Sequence, residues 1–216
     1  MIQIIGNKSS IFNQFMFEIR DVKIQKDRMR FRKNLERMGE IFAYEISKTL
    51  PQKRKTVETP LGSVEIDMPS TEIVLATILR AGLPLHQGML NFFDKAENAF
   101  VSAYRKYDSE NSFKVKIEYI STPILDNKTL IISDPMLATG ASMHLVYRSL
   151  IESGIPEHTH IVSIIASRDG IEYIRKYFPK KDVTIWAGAI DDELTVKSYI
   201  VPGLGDAGDL AYGCKV

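Results

Sequence analysis

Four stretches of the chain carry nearly continuous apolar side chains: Ile73 to Leu79, Thr129 to Ser133, Ile161 to Ala166 and Val183 to Ala189. Runs of that length, rich in β-branched residues and bounded by turn formers, predict parallel strands buried on both faces. Phe100 to Arg105 predicts a further strand. Between them the period changes. Leu83 to Phe93, Ala141 to Ser153 and Asp169 to Phe178 repeat apolar residues three and four apart, which predicts helices, the last two closed by Gly154 and Pro179. Strand and helix alternate from Ile73 to Ala189, the pattern of an α/β fold with a mostly parallel, doubly wound sheet and right-handed connections.

The flanking segments read differently. Residues 18 to 50 predict one helix ended by Pro51, because Phe31, Leu35, Met38, Ile41, Phe42 and Ile46 recur at helical spacing. Its basic cluster, Lys26, Arg28, Arg30, Arg32 and Lys33, reads as a solvated face rather than a phosphate contact. Thr56 to Pro69 predicts a hairpin, peripheral to the sheet, turning at Thr59-Pro60-Leu61-Gly62. After a polar turn, Phe113, Val115, Ile117 and Tyr119 alternate with Lys114, Lys116 and Glu118, so residues 106–120 predict an exposed β-arm. Whether such an arm closes over a ligand, pairs with another subunit or does neither is not set by periodicity. The tail from Tyr199 to Asp209 is rich in glycine and acid, yet Ile200, Val201 and Leu204 interrupt it, which predicts a packed loop with backbone facing a small ligand.

Composition narrows the class. A chain of 216 residues supports one sizeable core, and residues 1–216 are read as a single domain. With 44% hydrophobic and 25% charged residues and a net charge of +1, nothing calls for a nucleic-acid or membrane partner. Cys214 is the only cysteine, which excludes an intrachain disulfide and suits a reducing compartment. The start, Met1 to Lys8, has no basic segment followed by an apolar core, and no stretch reaches the roughly 18 apolar residues of a spanning helix. A cytoplasmic location is the expectation.

The chemistry gathers at Thr129 to Ser142, a strand running into Asp134, a loop of small and hydroxylated residues, and a helix start. The first N–H groups of a helix lack partners and carry the positive end of its dipole, so an anion fits there. Thr139 and Ser142 add hydroxyls, and Gly140 lets backbone approach a ligand. The spacing matches neither the Walker loop nor the dinucleotide fingerprint. Lacking a lysine, the loop needs backbone, a metal or distant arginines for neutralisation. Arg80, in Arg80-Ala81-Gly82, follows a strand, where open α/β sheets bind ligands, and Arg105 finishes another. His86 has no partner spaced for a metal and is read as a half-buried packing or surface residue.

In these segments the chain resembles the uracil phosphoribosyltransferases, of the type I phosphoribosyltransferase fold. The matching residues are Phe31-Arg32 with Tyr44-Glu45, Thr59-Pro60-Leu61-Gly62, Ile78-Leu79-Arg80-Ala81-Gly82-Leu83, Tyr104-Arg105, Asp134-Pro135-Met136-Leu137-Ala138-Thr139-Gly140-Ala141-Ser142, and Tyr199 to Asp209. The resemblance implies a small hood, built from the N- and C-terminal segments, over the sheet. It implies conversion of uracil and 5-phospho-α-D-ribose 1-diphosphate (PRPP) to UMP and diphosphate in pyrimidine salvage, with Mg²⁺, in a homodimer or higher homo-oligomer. Carried over by position, Arg80, Arg105, Asp134 and Asp206 are the catalytic residues. Arg80, Arg105, Asp206 and the run Asp134 to Ser142 contact PRPP, while Ile200, Gly205, Asp206 and Ala207 hold uracil. Asp206 also stands beside the metal, directly or through water.

Two departures from the family pattern stand out. Gly140-Ala141-Ser142 replaces the usual Gly-Gly-Ser, and Leu210-Ala211-Tyr212-Gly213-Cys214 replaces a basic residue followed by Phe-Gly-Thr. The alternatives are a phosphoribosyltransferase for another base, which the tail would discriminate, and an RNA-binding, nucleotide-sensing regulator on the same fold. Balanced charge without a concentrated basic patch argues against the regulator.

Overall fold

The apolar runs lie side by side. The computed structural model describes residues 1–107, 113–179 and 181–214, with backbone alone at 104–107 and 113–115. In chain order the strands are β1 (Ile2–Ile4), β2 (Gln52–Thr59), β3 (Gly62–Pro69), β4 (Ile73–Leu79), β5 (Glu97–Tyr107), β6 (Phe113–Ser121), β7 (Thr129–Ser133), β8 (Met136–Leu137), β9 (His158–Ser167), β10 (Val183–Asp191), β11 (Glu193–Leu194) and β12 (Ile200–Val201). The helices are α1 (Ile11–Arg20), α2 (Arg28–Ser47), α3 (Leu83–Phe92), α4 (Ala141–Leu150), α5 (Arg168–Tyr177) and α6 (Ala207–Tyr212). The main sheet has eight strands in the order β1-β10-β9-β7-β4-β5-β6, with β8 added alongside β9. Its pairs are parallel except β5 with β6.

Residues alternate between the two faces along each central strand, and both faces are covered. Leu75, Ile131 and Val162 point toward α1, α2, α3 and α6, where they meet Phe12, Leu35, Phe42, Leu85 and Ala211. Val74, Ala76, Leu130, Ile132 and Ile161 point the other way, toward Met143, Val146 and Leu150 of α4 and Ile171 and Ile174 of α5. This two-sided burial is why the strands read as unbroken apolar runs rather than as alternating ones. The doubly wound α/β expectation therefore holds. Among the described residues no helix is long and apolar enough to cross a membrane.

Several boundaries differ from the sequence expectation. The single helix over 18–50 is two helices. α1 ends at Arg20, Asp21 Oδ1 accepts the N–H groups of Lys23 and Ile24, and Asp27 caps α2 by accepting the Arg30 N–H at 3.0 Å. Aspartate competes with helical backbone for exactly such local bonds, so the two acids divide the segment. α2 also stops at Ser47, before Pro51. The basic cluster is not simply solvated. Arg30 closes on Glu18 at 2.8 Å, and Arg32 Nη1 donates to the Ala211 carbonyl at 2.7 Å, binding α2 to the tail.

The peripheral hairpin begins at Gln52 rather than Thr56 and forms its own two-stranded ribbon, exposed along its length and turning between Thr59 and Gly62. The expected β-arm is the antiparallel edge of the main sheet. Its β6 pairs with β5 through a register shift at Ser102/Ala103, and its turn at 108–112 lies outside the described residues. β1 was not anticipated: three residues at the sheet edge are too few to show a period.

Glu18 locks α1 to α2. Its carboxylate is almost fully buried and accepts hydrogen bonds from Arg30, Gln14 and Asn34. These bonds, Arg30's the largest, hold its pKa at about 2 against an ordinary 4.5, although burial works in the opposite direction. A depressed carboxylate pKa adds stability that is complete above the unfolded value and is lost as pH falls through the folded one. Thermal unfolding of the wild type and Glu18→Gln between pH 7 and 2 is predicted to show a melting-temperature gap that is constant above pH 4.5 and closes toward pH 2. A gap independent of pH would contradict this account.

Candidate active site

Register places the expected site residues along one edge. Thr77 of β4 pairs with Ser133 of β7, and Ser133 with Val162 of β9, so the chain leaves β4 and β7 at neighbouring points. Arg80 follows β4 and Asp134 follows β7, at the carboxyl ends where open α/β sheets bind ligands. Asp134 N–H donates to the Val162 carbonyl at 3.1 Å, and one of its carboxylate oxygens accepts the Met136 N–H at 3.5 Å.

The loop that follows is built to present backbone. β8 runs beside Ile165 and Ala166, and Ala138's carbonyl accepts the Ser167 hydroxyl, which in turn accepts the Gly170 N–H at 2.9 Å. The capping serine of α5 thus also supports the loop from below. Gly140 then enters α4 with φ +78, a left-handed conformation that costs a residue with a side chain. A methyl here would also stand 3.0 Å from the Tyr173 ring and from the Gly170 carbonyl oxygen. The Ala141 N–H points to the Thr139 hydroxyl at 3.4 Å. The result is a helix N-terminus opened toward the cleft, with hydroxyls at Thr139 and Ser142.

The tail returns across the same edge. β12 pairs with β11, and the chain then enters α6, whose first turn is capped by Asp206 through the Asp209 N–H at 3.0 Å. The tail is thus part hairpin and part helix rather than a loop throughout. Its signal was legible: Asp206 precedes Ala207-Gly208-Asp209, a capping residue with an acid in the first turn. Ile200, Leu204 and Ala207 are buried in the core, which accounts for apolar residues among the glycines.

Together these segments enclose a cleft of about 700 Å³. Arg80, Asp134, Met136, Leu137, Ala138, Thr139, Gly140 and Ser142 face it from the sheet edge, and Ile200, Gly205, Asp206 and Ala207 face it from the tail. Pro135 and Ala141 do not line it. Pro135 turns toward β9, its carbonyl accepting the N–H groups of Ile164 and Ile165, and Ala141 lies in the first turn of α4. Arg105 falls in β5, and its side chain lies outside the described residues. Ser102, Ala103 and Ser198 join the lining without having been singled out. Ser102 could only be found through register, since it pairs with Leu79 at the end of β4.

Arg80 is held in place by the tail. Nη2 donates to Asp209 at 3.1 Å, and both terminal nitrogens reach the Gly213 carbonyl at 3.3 Å. The Arg80 side chain remains more than a third exposed and lines the cleft, so it is available to an anion there. His86 is buried and bonded to Asn98 at 2.8 Å, and burial lowers its pKa, which agrees with a packing role.

Comparison with known proteins follows this geometry. The sequence model of the uracil phosphoribosyltransferase family matches residues 7–214. A uracil phosphoribosyltransferase from Porphyromonas gingivalis is 58% identical over 212 residues, covering 98% of each chain. A solved structure of a protein from Aquifex aeolicus superposes with a TM-score of 0.87 at 31% identity over the whole of both chains. A hypoxanthine phosphoribosyltransferase from Staphylococcus aureus, with a TM-score of 0.50 at 13% identity over 76% of each chain, shares the type I phosphoribosyltransferase fold alone. Agreement that runs from residue 7 to 214, in sequence as in fold, makes this chain a member of the uracil phosphoribosyltransferase family.

Proposed function

We propose that the chain transfers the phosphoribosyl group of PRPP to N1 of uracil, giving UMP and diphosphate, and that it serves pyrimidine salvage. The observation that carries this reading is the joining, in one cleft of about 700 Å³, of the α4 N-terminal loop with the glycine-rich tail. One end offers anion binding and the other a glycine-rich segment with backbone donors and acceptors.

In the reaction the C1–oxygen bond to diphosphate breaks, the N1–C1 bond forms, and the N1 proton leaves. Positive charge develops on the ribose ring as diphosphate departs. Asp134, which lines the cleft, would orient the ribose hydroxyls and favour the charge, while the backbone of residues 136–140 and the hydroxyls of Thr139 and Ser142, which line it too, would hold the 5-phosphate. Arg80 and Arg105 receive the diphosphate charge. Ile200 and the Gly205-Asp206-Ala207 backbone hold uracil over the anomeric carbon, so orientation contributes to the rate.

Mg²⁺ suits the donors present. It binds through one or two carboxylates together with substrate phosphates and keeps several waters. Asp134 and Asp206 both line the cleft, and among the described residues no cluster of three or more His, Cys, Asp or Glu forms a protein cage. Asp206 would hold the ion, directly or through water, and the ion would add positive charge beside the departing diphosphate. The chain is read as one domain, in which α1, α2 and α6 supply the hood. Exposed Val57, Val64, Ile66 and Met68 on the β2–β3 ribbon support a homo-oligomer.

Steady-state assays with uracil, cytosine, orotate and hypoxanthine are expected to give PRPP-dependent product with uracil alone. Turnover of another base without UMP formation would overturn the assignment. Asp134→Asn is expected to lower kcat by about 100-fold or more, because it removes charge stabilisation present in the transition state. Gly140→Ala is expected to raise the PRPP KM while leaving the affinity for uracil largely unchanged, and calorimetric titration with PRPP checks this directly.

A further inference from the structure

We infer that Arg20 and Asp191, which do not line the cleft, are positioning residues that set the uracil affinity by clamping the base loop at Gly203. The inference rests on the reading of Ile200 and Gly205-Asp206-Ala207 as the uracil-holding segment.

The clamp joins three distant parts of the chain. Arg20 is the last residue of α1, Asp191 the last of β10, and Gly203 lies between the two halves of the base loop. Arg20 meets Asp191 in a two-pronged pair, Nη1 to Oδ2 at 2.7 Å and Nη2 to Oδ1 at 2.8 Å. The same Nη1 donates to the Gly203 carbonyl at 2.9 Å, and Asp191 Oδ2 accepts the Gly203 N–H at 2.8 Å. Both peptide groups of one glycine are therefore held, one by each member of the ion pair. Asp191 is 7% exposed, so it is shielded from solvent competition.

Gly203 is where the loop must turn. Its φ is +55, and a side chain there would stand 2.9 Å from the Ile200 carbonyl carbon, so the backbone doubles back on the residue expected to touch uracil. Two residues later Gly205 and Asp206 face the cleft. A base read by backbone donors and acceptors is recognised only if those groups are held in place, and a displacement of about 1 Å is enough to lose them. The clamp supplies that hold. A buried ion pair is weak grounds for stability by itself, since a packed apolar pair often serves as well. What an apolar pair cannot do is bind an N–H and a C=O at once. Arginine's planar fork serves the carboxylate and the carbonyl together, which lysine does only in part.

The test is a steady-state series on the full-length enzyme: wild type, Asp191→Asn, Arg20→Ala, Arg20→Lys, the double variant Arg20→Ala/Asp191→Asn, and Ala207→Val as a direct change in the base loop. Asp191→Asn and Arg20→Ala are each expected to raise the uracil KM about 10-fold, the scale of one charge-assisted hydrogen bond, with a distinctly smaller rise in the PRPP KM, since in this loop only Asp206 also faces PRPP. The double variant should be no worse than the poorer single variant, because the two residues act as a unit. Arg20→Lys should recover part of the uracil affinity and, as the mildest change, keeps the test open if Arg20→Ala does not fold. Parallel rises in both KM values, or lower melting temperature with unchanged uracil KM, would overturn the clamp. If Ala207→Val alone shifts the uracil KM, the clamp fails and the base-loop reading stands; if no variant shifts it, the base-loop reading fails as well.

Discussion

The lateral register of β4, β7 and β9 is the constraint on which the site depends. Parallel strands can bring their carboxyl ends to a common edge only if neighbouring chains stop at matched points, and here the matching is enforced by buried hydroxyls as well as by the ladder. Ser133 Oγ donates to the Ala76 carbonyl at 3.2 Å, and Thr77 Oγ1 to the Ser133 carbonyl at 3.4 Å. Both side chains are almost fully buried. A slip of one residue would turn every side chain of a strand to the opposite face, which two covered faces do not permit. Arg80 and Asp134, more than fifty residues apart in sequence, therefore meet across one cleft.

The second half of the cleft comes from a tail that the sheet does not hold by strand pairing. Among the described residues β11 and β12 pair only with each other. The tail is instead tied down by arginines from elsewhere: Arg20 at Gly203, Arg32 at Ala211, and Arg80 at Asp209 and Gly213. Carbonyls near the end of α6 are natural acceptors for such cations. The Leu210-Ala211-Tyr212-Gly213-Cys214 ending, which departs from the family pattern, is accommodated within this scheme. Ala211 is buried, Arg32 lies 5.8 Å from the centre of the Tyr212 ring, and the contacts to Ala211 and Gly213 use backbone carbonyls, which do not depend on side-chain identity.

The core of the fold was legible because it is written in local patterns. Ile73 to Leu79 and Thr129 to Ser133 were bounded to the residue, since each apolar run is closed by a change in composition. The break between α1 and α2 was missed because the apolar period continues on either side of it, and the deciding signal was two aspartates. β1 was missed because three residues gain strand geometry only from a neighbour already in place, here Ile185, Trp186 and Ala187 of β10. The basic run on α2 looked like a solvated face because its partners, Glu18 and the Ala211 carbonyl, lie on other elements.

By itself, the sequence determined the alternation of strand and helix, the doubly wound class, the strand-to-helix junction at Asp134 to Ser142 and the family resemblance. These are carried by side-chain periodicity and by short runs whose chemistry is local. Only the tertiary structure decided that Pro135 faces β9 rather than the cleft, that Ser102 and Ala103 join its wall, and that Arg20 and Asp191 grip Gly203. Each of these turns on where one chain segment lies against another. Hydrogen bonds between residues 171 and 183 positions apart leave no period and no motif, so they become visible only when the strands have been laid in register.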